Sequence, residues 1–437
     1  MSDYGELLAT LPEDWKVLPI EEIGEVISGG TPSRGNSRYW KGSIPWVTPG
    51  EVTNIGSKYL RKTEEQISAE GLSQSGARLL PANSLLVTTR ASLGAAVLNA
   101  APATTNQGFK SIAFKDTFSP GYYFHWSRKL KPELERRASG TTFLEISGSQ
   151  FRVIQVPVPP YEEQQTIAHV LDTLDIQIQR TEALIAKLEK VKEGLLHDLL
   201  TCGIDEYGRL RPSPEQAPEL YKESPLGLIP REWSISSVGR EFEIQLGKML
   251  DAERNSGQMK PYLGNKAVQW GVIDIREVGQ VRLTDSDVIK FRLVPGDLLV
   301  CEGGEIGRAA LWEGQMDECY YQKALHRLRS KNNLSPRFML QVLFLWGKRS
   351  TLSDYASQTS IAHLPKEKLE IVPVPVPSKH EQESIINVLQ SHERTLKAES
   401  EALSEMHKIK SGLMDDLLTG RVRVTPLLDQ AQATTPA

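Results

Sequence analysis

Few residues in this chain have the types and spacing that catalysis needs. Residues 158–161 (VPPY) come nearest to the Asn/Asp-Pro-Pro-aromatic motif of methyltransferases that act on DNA amines, but valine stands where an amide or carboxylate is required. A metal-dependent nuclease needs clustered carboxylates and a lysine, and 365–368 (PKEK) offers only a Glu-x-Lys fragment. A phosphate-binding Gly-x-x-x-x-Gly-Lys-Ser/Thr loop is absent from the sequence. These patterns predict a binding protein with no catalytic residues.

Histidine and cysteine do not form a metal or redox motif. The eight histidines include no i, i+4 pair, and Cys202, Cys301 and Cys319 have no Cys-x-x-Cys spacing. We therefore predict no metal and no cofactor on this chain, reduced cysteines in the cytoplasm, and a core or hydrogen-bonded role for His392. The sequence contains no run of 18 apolar residues, so no membrane span is predicted. Residues 1–12 are unlike a secretory signal.

The sequence segments that would position binding residues occur twice, as an internal repeat at an offset of 218 positions. The matching segments are PEDW at 12–15 with PREW at 230–233, VPVP at 156–159 with 374–377, and Glu-Gln at 163–164 with 381–382. Between 161–201 and 379–419, 13 of 41 residues are identical without a gap. The interiors differ in register, since Gly29 matches Gly247 at this offset but Gly94 aligns with Gly307 at another. The chain is thus an internal duplication with similar ends and divergent interiors.

Each copy is predicted to be an α+β domain followed by one long helix. Short runs rich in β-branched residues, separated by Gly and Pro, predict strands at 44–48, 84–89, 95–99, 111–114 and 153–158. Shorter helices are predicted at 121–131, 132–138 and, in the second copy, near 336–346. After each VPVP segment, apolar residues recur every three or four positions, which predicts a helix of roughly 60 Å for about 40 residues. Gly203 is the predicted stop of the first of these helices.

A long helix with one apolar stripe needs a surface to pack against. It can pack on its own domain, or the two homologous helices can pair. We favour antiparallel, coiled-coil-like pairing around a pseudo-two-fold axis, which would separate the two domains along a rod. The predicted bounds are 1–157 and 216–376 for the globular domains, 158–215 and 377–420 for the helices with their linker, and 421–437 for a disordered tail.

Charge is distributed in blocks. The net charge of −4 divides into +2 for 1–157, −5 for 158–215, +1 for 216–376 and −2 for 377–437. If the nearly neutral globular domains bind nucleic acid, their basic residues must therefore be gathered on one face.

This order of segments resembles the specificity subunits of type I restriction–modification systems, over about residues 10–425. The resemblance implies two target-recognition domains, each reading one half of a split site in double-stranded DNA. It further implies helices that dock two methylating (M) subunits, joined by translocating and cleaving restriction (R) subunits. S-adenosylmethionine, ATP and Mg²⁺ would be bound by those partners. Two alternatives stay open: the recognition subunit of another bipartite system, such as a type IIB-like enzyme, and a coiled-coil scaffold that does not bind DNA.

Candidate DNA contacts lie on loops with glycine and polar residues. Arginine fits the guanine edge, Asn or Gln fits adenine, and a carboxylate accepts from cytosine N4. In the first domain the candidates are Thr31, Ser33, Arg34, Arg38, Thr89, Arg90, Asn106, Gln107, Lys110 and Thr141. In the second they are Lys248, Arg254, Glu302, Gln322, Lys323 and Thr359. An approximate alignment places Glu302 opposite Arg90, which predicts different base preferences in the two domains.

Overall fold

The computed structural model describes residues 3–139, 144–251, 253, 255–357 and 363–427. The chain divides into two compact units, unit 1 (Met1–Glu182 with Glu401–Ala437) and unit 2 (Ala183–Ser400). Each unit holds one globular domain together with a part of each long helix. The predicted α+β fold with an internal repeat is confirmed, whereas the bounds predicted for the individual domains remain a prediction.

In the described residues, the globular domain of unit 1 has a five-stranded sheet, a three-stranded sheet, a two-stranded ladder and one longer helix. The strands are β1 (Lys16–Pro19), β2 (Gly24–Ser28), β3 (Ile44–Val47), β4 (Tyr59–Leu60), β5 (Glu65–Ile67), β6 (Leu85–Thr88), β7 (Ala96–Asn99), β8 (Thr104–Thr105), β9 (Phe109–Phe114) and β10 (Gln155–Val158). The helices are α1 (Asp3–Ala9), α2 (Ile20–Ile23), α3 (Pro49–Thr53), α4 (Ala69–Ser73), α5 (Pro120–Arg137) and α6 (Gly148–Arg152), with a 3₁₀ turn at Ser37–Trp40.

The core of unit 1 lies between its main sheet and α5. Five strands follow the order β2-β9-β6-β7-β4, and a second sheet follows β5-β3-β8. Apolar residues of β6, β7 and β9 pack with Tyr122 and Trp126 of α5, which are fully buried. The sequence predicted separate helices on either side of Pro132, but α5 continues through this proline. The five predicted strands are confirmed to within two residues at their ends.

Unit 2 repeats this topology with a longer second sheet. Its strands are β11 (Tyr221–Lys222), β12 (Ile229–Pro230), β13 (Ser234–Ser237), β14 (Phe242–Leu246), β15 (Gln258–Leu263), β16 (Val268–Gln269), β17 (Val272–Ile273), β18 (Val278–Leu283), β19 (Leu298–Cys301), β20 (Ala309–Leu311), β21 (Tyr320–Tyr321), β22 (Leu325–Ser330) and β23 (Pro373–Val376). The shorter helices are α8 (Val238–Glu241), α9 (Asp285–Phe291), α10 (Pro336–Arg349) and α11 (Lys366–Glu370), with 3₁₀ turns at Pro218–Leu220, Asn265–Ala267, Ile275–Glu277 and Thr351–Tyr355.

The sheets of the two units correspond strand by strand. The order β14-β22-β19-β20 of unit 2 matches β2-β9-β6-β7, and β18-β15-β21 matches β5-β3-β8, with β15 parallel to β21 as β3 is to β8. The VPVP segments form the closing strands, since β10 pairs with β1 and β23 with β13. Both are two-stranded ladders, where proline is tolerated because one side of each strand needs no backbone donor.

The two long helices are α7 (Tyr161–Thr201) and α12 (Lys379–Leu418). Within each unit their ends enter the core of the globular domain. In unit 1 the buried helix residues are Ile167, Leu171, Leu417 and Leu418, and in unit 2 they are Leu199, Leu200, Ile385 and Leu389. The sequence left two alternatives open, packing on the helix's own domain and pairing of the two helices. The start of each helix packs on the globular domain that precedes it in the chain, whereas its end packs on the globular domain of the other repeat.

Contacts between α7 and α12 occur inside each unit, and those of unit 1 have antiparallel order. In unit 1, Asp175 pairs with Lys410, and Glu182 lies 3.8 Å from His407. In unit 2, the carbonyl of Leu188 accepts a hydrogen bond from His392 Nε2 at 2.8 Å. His392 is therefore a hydrogen-bonded helix residue, as predicted.

The Glu-Gln motif ties the start of each long helix to its domain. Gln164 accepts a hydrogen bond from the backbone N–H of Ser119 at 2.9 Å and donates to the carbonyl of Pro159 at 2.8 Å. Gln382 makes the same two bonds with Ser335 and Pro377, each at 2.9 Å. Ser119 and Ser335 are the residues that precede α5 and α10. The glutamine thus joins the closing strand, the longer helix of the domain and the long helix.

The glutamate of the motif is a buried anion with an arginine partner in both units. Glu163 is 1% exposed and accepts from Trp15 Nε1 at 3.1 Å and from Arg423 at 2.8 and 2.9 Å. Arg423 also binds Asp14 at 2.8 and 2.9 Å. These interactions raise the pKa of Arg423 and lower that of Asp14. In unit 2, Glu381 is paired with Arg211 in the same way, and Arg211 binds Glu232 at 2.7 Å.

The segment after α12 packs on unit 1. Val424 is 2% exposed within the core that contains Trp15, and Arg423 makes the ion pairs just described. Residues 421–427 therefore differ from the disordered tail predicted for 421–437, because Arg423 and Val424 bury charge and apolar surface there. Residues 428–437 lie outside the described residues. No helix in the described part of the chain is long and apolar enough to cross a bilayer.

Candidate nucleic-acid interface

Three segments of unit 1 that carry predicted DNA contacts meet on one surface. The hydroxyl of Thr31 donates to Oε1 of Gln107, and the backbone N–H of Thr89 donates to the carbonyl of Gly108 at 2.8 Å. Arg90 lies 3.6 Å from Glu145 and pairs with it along the backbone. The segments 29–34, 88–92, 105–108 and 144–148 are thereby joined into one continuous surface, which we call the loop surface of unit 1.

Glycine is required where two of these loops touch. A Cβ atom on Gly29 would lie 1.8 Å from the carbonyl oxygen of Asn106, and one on Gly247 in unit 2 would lie 2.3 Å from that of Tyr321. Both distances are far below van der Waals contact. The conserved spacing of Gly29 and Gly247 thus reflects the same close approach of backbones in both units.

Arg34 is held by an aromatic and acidic cluster. Its guanidinium forms a two-pronged ion pair with Glu65, with Nη2 at 2.8 Å from Oε2, and lies 3.7 Å from the centre of the Trp40 ring. Trp40 packs edge-on against Trp46 at 4.9 Å between ring centres. The hydrogen bonds to Arg34 lower the pKa of Glu65 and those to Glu65 raise the pKa of Arg34. The ion pair therefore favours the charged form of both groups.

The neighbouring candidates of this loop are exposed. Ser33 lies before the turn Ser37–Trp40 and Arg38 lies within it, and both are exposed. The side chain of Asn36 begins that turn by accepting from the backbone N–H of Arg38 at 3.1 Å. The carbonyl of Ser33 accepts from Trp40 Nε1 at 3.1 Å. The loop thus has a defined backbone that leaves the side chains of Ser33 and Arg38 free to meet a partner.

Two candidates of unit 1 are buried and do not face solvent. Thr89 is fully buried, and its hydroxyl is 3.3 Å from the carbonyl of Gly108. Lys110 is 6% exposed, and burial lowers the pKa of its ammonium group. Both lie next to reading loops but belong to the sheet beneath them. Because both side chains are buried in this structure, a contact with a base edge would require the loops above them to move, and their contact with DNA stays a prediction.

The side chains of Asn106 and Gln107 differ in whether they are available to contact a base. The side-chain oxygen of Asn106 accepts from the backbone N–H of Gly108 at 2.8 Å, so this side chain shapes the turn. Gln107 is exposed, and its amide NH₂ is not used by the bond that Thr31 donates to its oxygen. A glutamine amide with a free donor and a second lone pair can still form the two-point contact that adenine accepts.

Unit 2 gathers its loops in the same way. The backbone N–H of Lys248 donates to the carbonyl of Tyr321, and that of Lys323 donates to the carbonyl of Lys248, both at 2.9 Å. The ammonium group of Lys248 is 2.8 Å from Asp287, whose pKa is lowered because its hydrogen bonds to Lys248 and Thr284 outweigh burial. The charge of Lys248 is thus paired within the unit, and its contact with DNA stays a prediction, whereas Lys323 is exposed and Gln322 and Glu302 are half-buried.

The backbone pairing corrects the alignment of Glu302 with Arg90. The N–H of Thr89 donates to Gly108 and its carbonyl accepts from Ile146, and the N–H of Glu302 donates to Ala324 and its carbonyl accepts from Leu364. Glu302 therefore corresponds to Thr89. Arg90, which is bridged to Glu145, corresponds to Gly303, which is bridged to His363. The shift of one residue arose because the interiors have different lengths, so sequence offset alone could not fix the register.

Three candidates, Thr141, Arg254 and Thr359, lie outside the described residues. The residues that sequence reasoning missed are the partners of the charged candidates, namely Glu65, Glu145 and Asp287, and the Trp40–Trp46 pair. Glu65 is 31 positions from Arg34, so no local pattern could have joined them. Trp40, which lies six positions after Arg34, was the available signal, because aromatic residues and arginine are both enriched at binding surfaces.

Comparison with known proteins gives a family match over both repeats. A sequence profile described as "Type I restriction modification DNA specificity domain" matches residues 12–190 and again residues 230–406. Two similar proteins come from Methanocaldococcus jannaschii. The type I restriction enzyme MjaIX specificity subunit is 31% identical over 263 residues, which is 60% of this chain and 58% of that protein. The MjaVIII specificity subunit is 22% identical over 429 residues, or 95% of each chain.

Solved structures share the fold. The S subunit of a type I restriction–modification system from M. genitalium superimposes with a TM-score of 0.54 at 16% identity, over 93% of this chain and 98% of that one. The HsdS subunit from Thermoanaerobacter tengcongensis gives a TM-score of 0.51 at 16% identity, over 94% and 98% of the two chains.

Proposed function

Because this chain belongs to the family of type I restriction–modification DNA specificity subunits, we propose that each of its globular domains reads one half of a bipartite site in double-stranded DNA. The chain itself would carry out no chemistry. It would give sequence specificity to a complex whose other subunits methylate, translocate and cleave DNA.

The observation that carries this proposal is the loop surface that recurs in both units. The backbone pairings are shared, with Gly29 and Gly247 at the same crossing. The side chains differ: at one shared position unit 1 has Arg90 and unit 2 has Gly303. A common frame with unlike polar side chains is what two readers of different half-sites require, because base identity is read by side chains whereas backbone contacts only set position.

The helices α7 and α12 would dock two methylating (M) subunits, and restriction (R) subunits would join that assembly. S-adenosylmethionine, ATP and Mg²⁺ would be used by those partners. Apolar side chains on the helices, Ile176, Leu184, Val191 and Ile409, are 41–49% exposed, which supports a docking role. We place the assembly in the cytoplasm, in keeping with three cysteines that are buried and unpaired.

The experiment that tests the proposal is to express the chain with its methylating subunits and to map methylated bases in the host genome. We expect one bipartite motif with a fixed gap. The variants Gln107→Ala and Gln322→Ala should each relax a different half of this motif, because their side chains belong to different units. Gln280→Ala, on an exposed position of β18, is the matched control and should leave both halves intact. A single undivided motif, or two variants that relax the same half, would contradict the proposal.

A further inference from the structure

Arg34, Glu65 and Trp40 form a cluster at the surface of unit 1 that stability alone does not explain. The side chains of Arg34 and Glu65 are 56% and 37% exposed. An ion pair with this exposure contributes little to folding, since solvent screens the charges and two long side chains must be ordered. Yet Arg34 is held on three sides, by two carboxylate oxygens and by the face of the Trp40 ring 3.7 Å away.

The geometry of the pair leaves a defined set of donors free. Glu65 takes one N–H from each terminal nitrogen of Arg34. A guanidinium has five N–H groups in a fixed plane, so Nε–H and one further N–H on each terminal nitrogen remain. These three have no other hydrogen-bond partner among the described residues. Nε–H and the outer N–H of Nη2 point in the same direction, which forms a second fork beside the one that binds Glu65.

The loop that carries Arg34 is fixed before any ligand binds. Trp46 Nε1 donates to the carbonyl of Gly30 at 2.9 Å, and Trp40 Nε1 donates to that of Ser33 at 3.1 Å. A Cβ atom on Gly30 would lie 2.2 Å from the backbone of Gly76, so the loop passes directly against another segment. The entropy cost of ordering the arginine is therefore already met in the free protein, which favours tight and selective binding.

The charge of Glu65 decides what the second fork can bind. A phosphate oxygen placed on it would lie close to the Glu65 carboxylate that is paired with Arg34, and like charges at such short range repel. A neutral base edge suffers no such repulsion. Guanine presents two acceptors, O6 and N7, side by side in the major groove, and this is the pattern that a guanidinium fork matches.

We propose that Arg34 reads a guanine in the half-site bound by unit 1, through Nε–H and the outer N–H of Nη2. Glu65 and Trp40 are positioning residues that hold the guanidinium plane and exclude phosphate. This inference rests on the proposed function, since it assigns one base contact within the specific complex.

The test uses the complete methyltransferase complex and a duplex that carries its mapped site. Each guanine of the unit 1 half-site is replaced in turn by 7-deazaguanine, which lacks the N7 acceptor. With the unaltered chain we expect one position to lose affinity by about tenfold, in line with the discrimination of a two-point contact. With Arg34→Ala and Arg34→Lys this loss should vanish at that position and persist at every other sensitive position.

Further variants separate positioning from simple folding. Glu65→Gln should keep the complex assembled but reduce the selectivity for guanine at that one position, and increase its affinity for unrelated DNA because a repelling charge is removed. Arg78→Ala is the matched control, since Arg78 is 62% exposed and lies 3.2 Å from Glu25 without an aromatic stack. It should change no position.

Three results would overturn the assignment. The half-site of unit 1 could contain no guanine, the loss with 7-deazaguanine could persist in Arg34→Ala, or Arg34→Ala could weaken specific and unrelated DNA equally, as a phosphate contact would. In each case the unaltered complex would still methylate a bipartite motif. Failure of the proposed function is different, since the unaltered complex would then show no bipartite motif at all.

Discussion

Replacement of Arg423 by alanine tests whether the motif glutamate needs its counter-charge. Glu163 is 1% exposed, and without Arg423 its carboxylate keeps only the bond from Trp15 Nε1 at 3.1 Å. Removing one partner of a buried ion pair costs about 3–5 kcal/mol. Arg423 is 28% exposed, so water can enter the space that it leaves, and we expect a loss of about 2–3 kcal/mol in unit 1. The exposed Asp14 pair should add little.

The assay must report on unit 1 by itself, because a chain with two compact units need not unfold in one step. Hydrogen exchange followed by mass spectrometry meets this need. The slowest amides of the main sheet in unit 1 should exchange roughly 30- to 150-fold faster in Arg423→Ala, as the factor of ten per 1.4 kcal/mol requires. Those of unit 2 should not change.

Two further variants make the result decisive. Arg421→Ala removes an arginine that is 69% exposed and paired with Asp416, so it should cost no more than about 0.5–1 kcal/mol. Adding Glu163→Gln to Arg423→Ala should recover part of the loss, because a neutral amide needs no counter-charge. If Arg423→Ala were no more harmful than Arg421→Ala, the buried carboxylate would not depend on this arginine and the reasoning would fail.

Three other predictions follow from single contacts. Gln164→Ala should lower the stability of unit 1 by about 2–3 kcal/mol in urea denaturation, because it leaves the N–H of Ser119 and the carbonyl of Pro159 without partners. Gln165→Ala, on the exposed side of α7, should cause almost no change. Equal effects of the two variants would contradict the bridging role of Gln164. Ala91 has φ 61°, and Gly304 holds the equivalent position with φ 81°. Ala91→Gly should therefore relieve backbone strain and raise the melting temperature by the equivalent of about 0.5–1 kcal/mol, whereas the control Ala96→Gly in β7 should lower it. A lower melting temperature in both variants would argue against backbone strain at Ala91. Burial holds the pKa of His125 below its ordinary value despite Asp172 at 2.9 Å. Because the pKa of His125 is lower in the folded than in the unfolded state, stability should be lost as pH falls below about 6.5. His125→Gln should show a smaller drop in melting temperature between pH 7.5 and 5.5, and an unchanged drop would exclude His125 as the source of the pH dependence.

The long helices and the closing strands, which form the frame of this protein, could be predicted from sequence because their signals are local or periodic. The apolar residues of α7 and α12 recur at helical spacing, and the VPVP segments mark the closing strands. What could not be predicted is which surface the stripe meets. Leu199 enters the core of unit 2, while Val191, on the same predicted stripe, is 44% exposed. Periodicity identifies one face of a helix, but only tertiary structure decides how far along that face burial extends.

The candidate site was predicted less well, for a physical reason. Polar residues near glycine mark loops, and most candidates do lie on converging loops. Whether a side chain is free depends on partners distant in sequence, as Glu65 is for Arg34 and Asp287 is for Lys248. Burial decides similarly for Thr89 and Lys110, which sit at strand ends just below the loops. Neither property can be read from neighbours in the chain.

Between the two units, the frame keeps an ion pair constant, whereas the loops keep the path of the backbone constant. In the frame, an arginine neutralises the motif glutamate in both units, although Arg423 follows Thr419 by four positions and Arg211 follows Thr201 by ten. A buried carboxylate needs a counter-charge from wherever the chain can supply one, so the ion pair persists while the sequence around it changes. In the loops the reverse holds, because the crossing at Gly29 and Gly247 fixes the backbone while the side chains beside it differ. The ion pair that ties each long helix to its domain is the first kind of constancy, and a choice between two half-sites depends on the freedom left by the second.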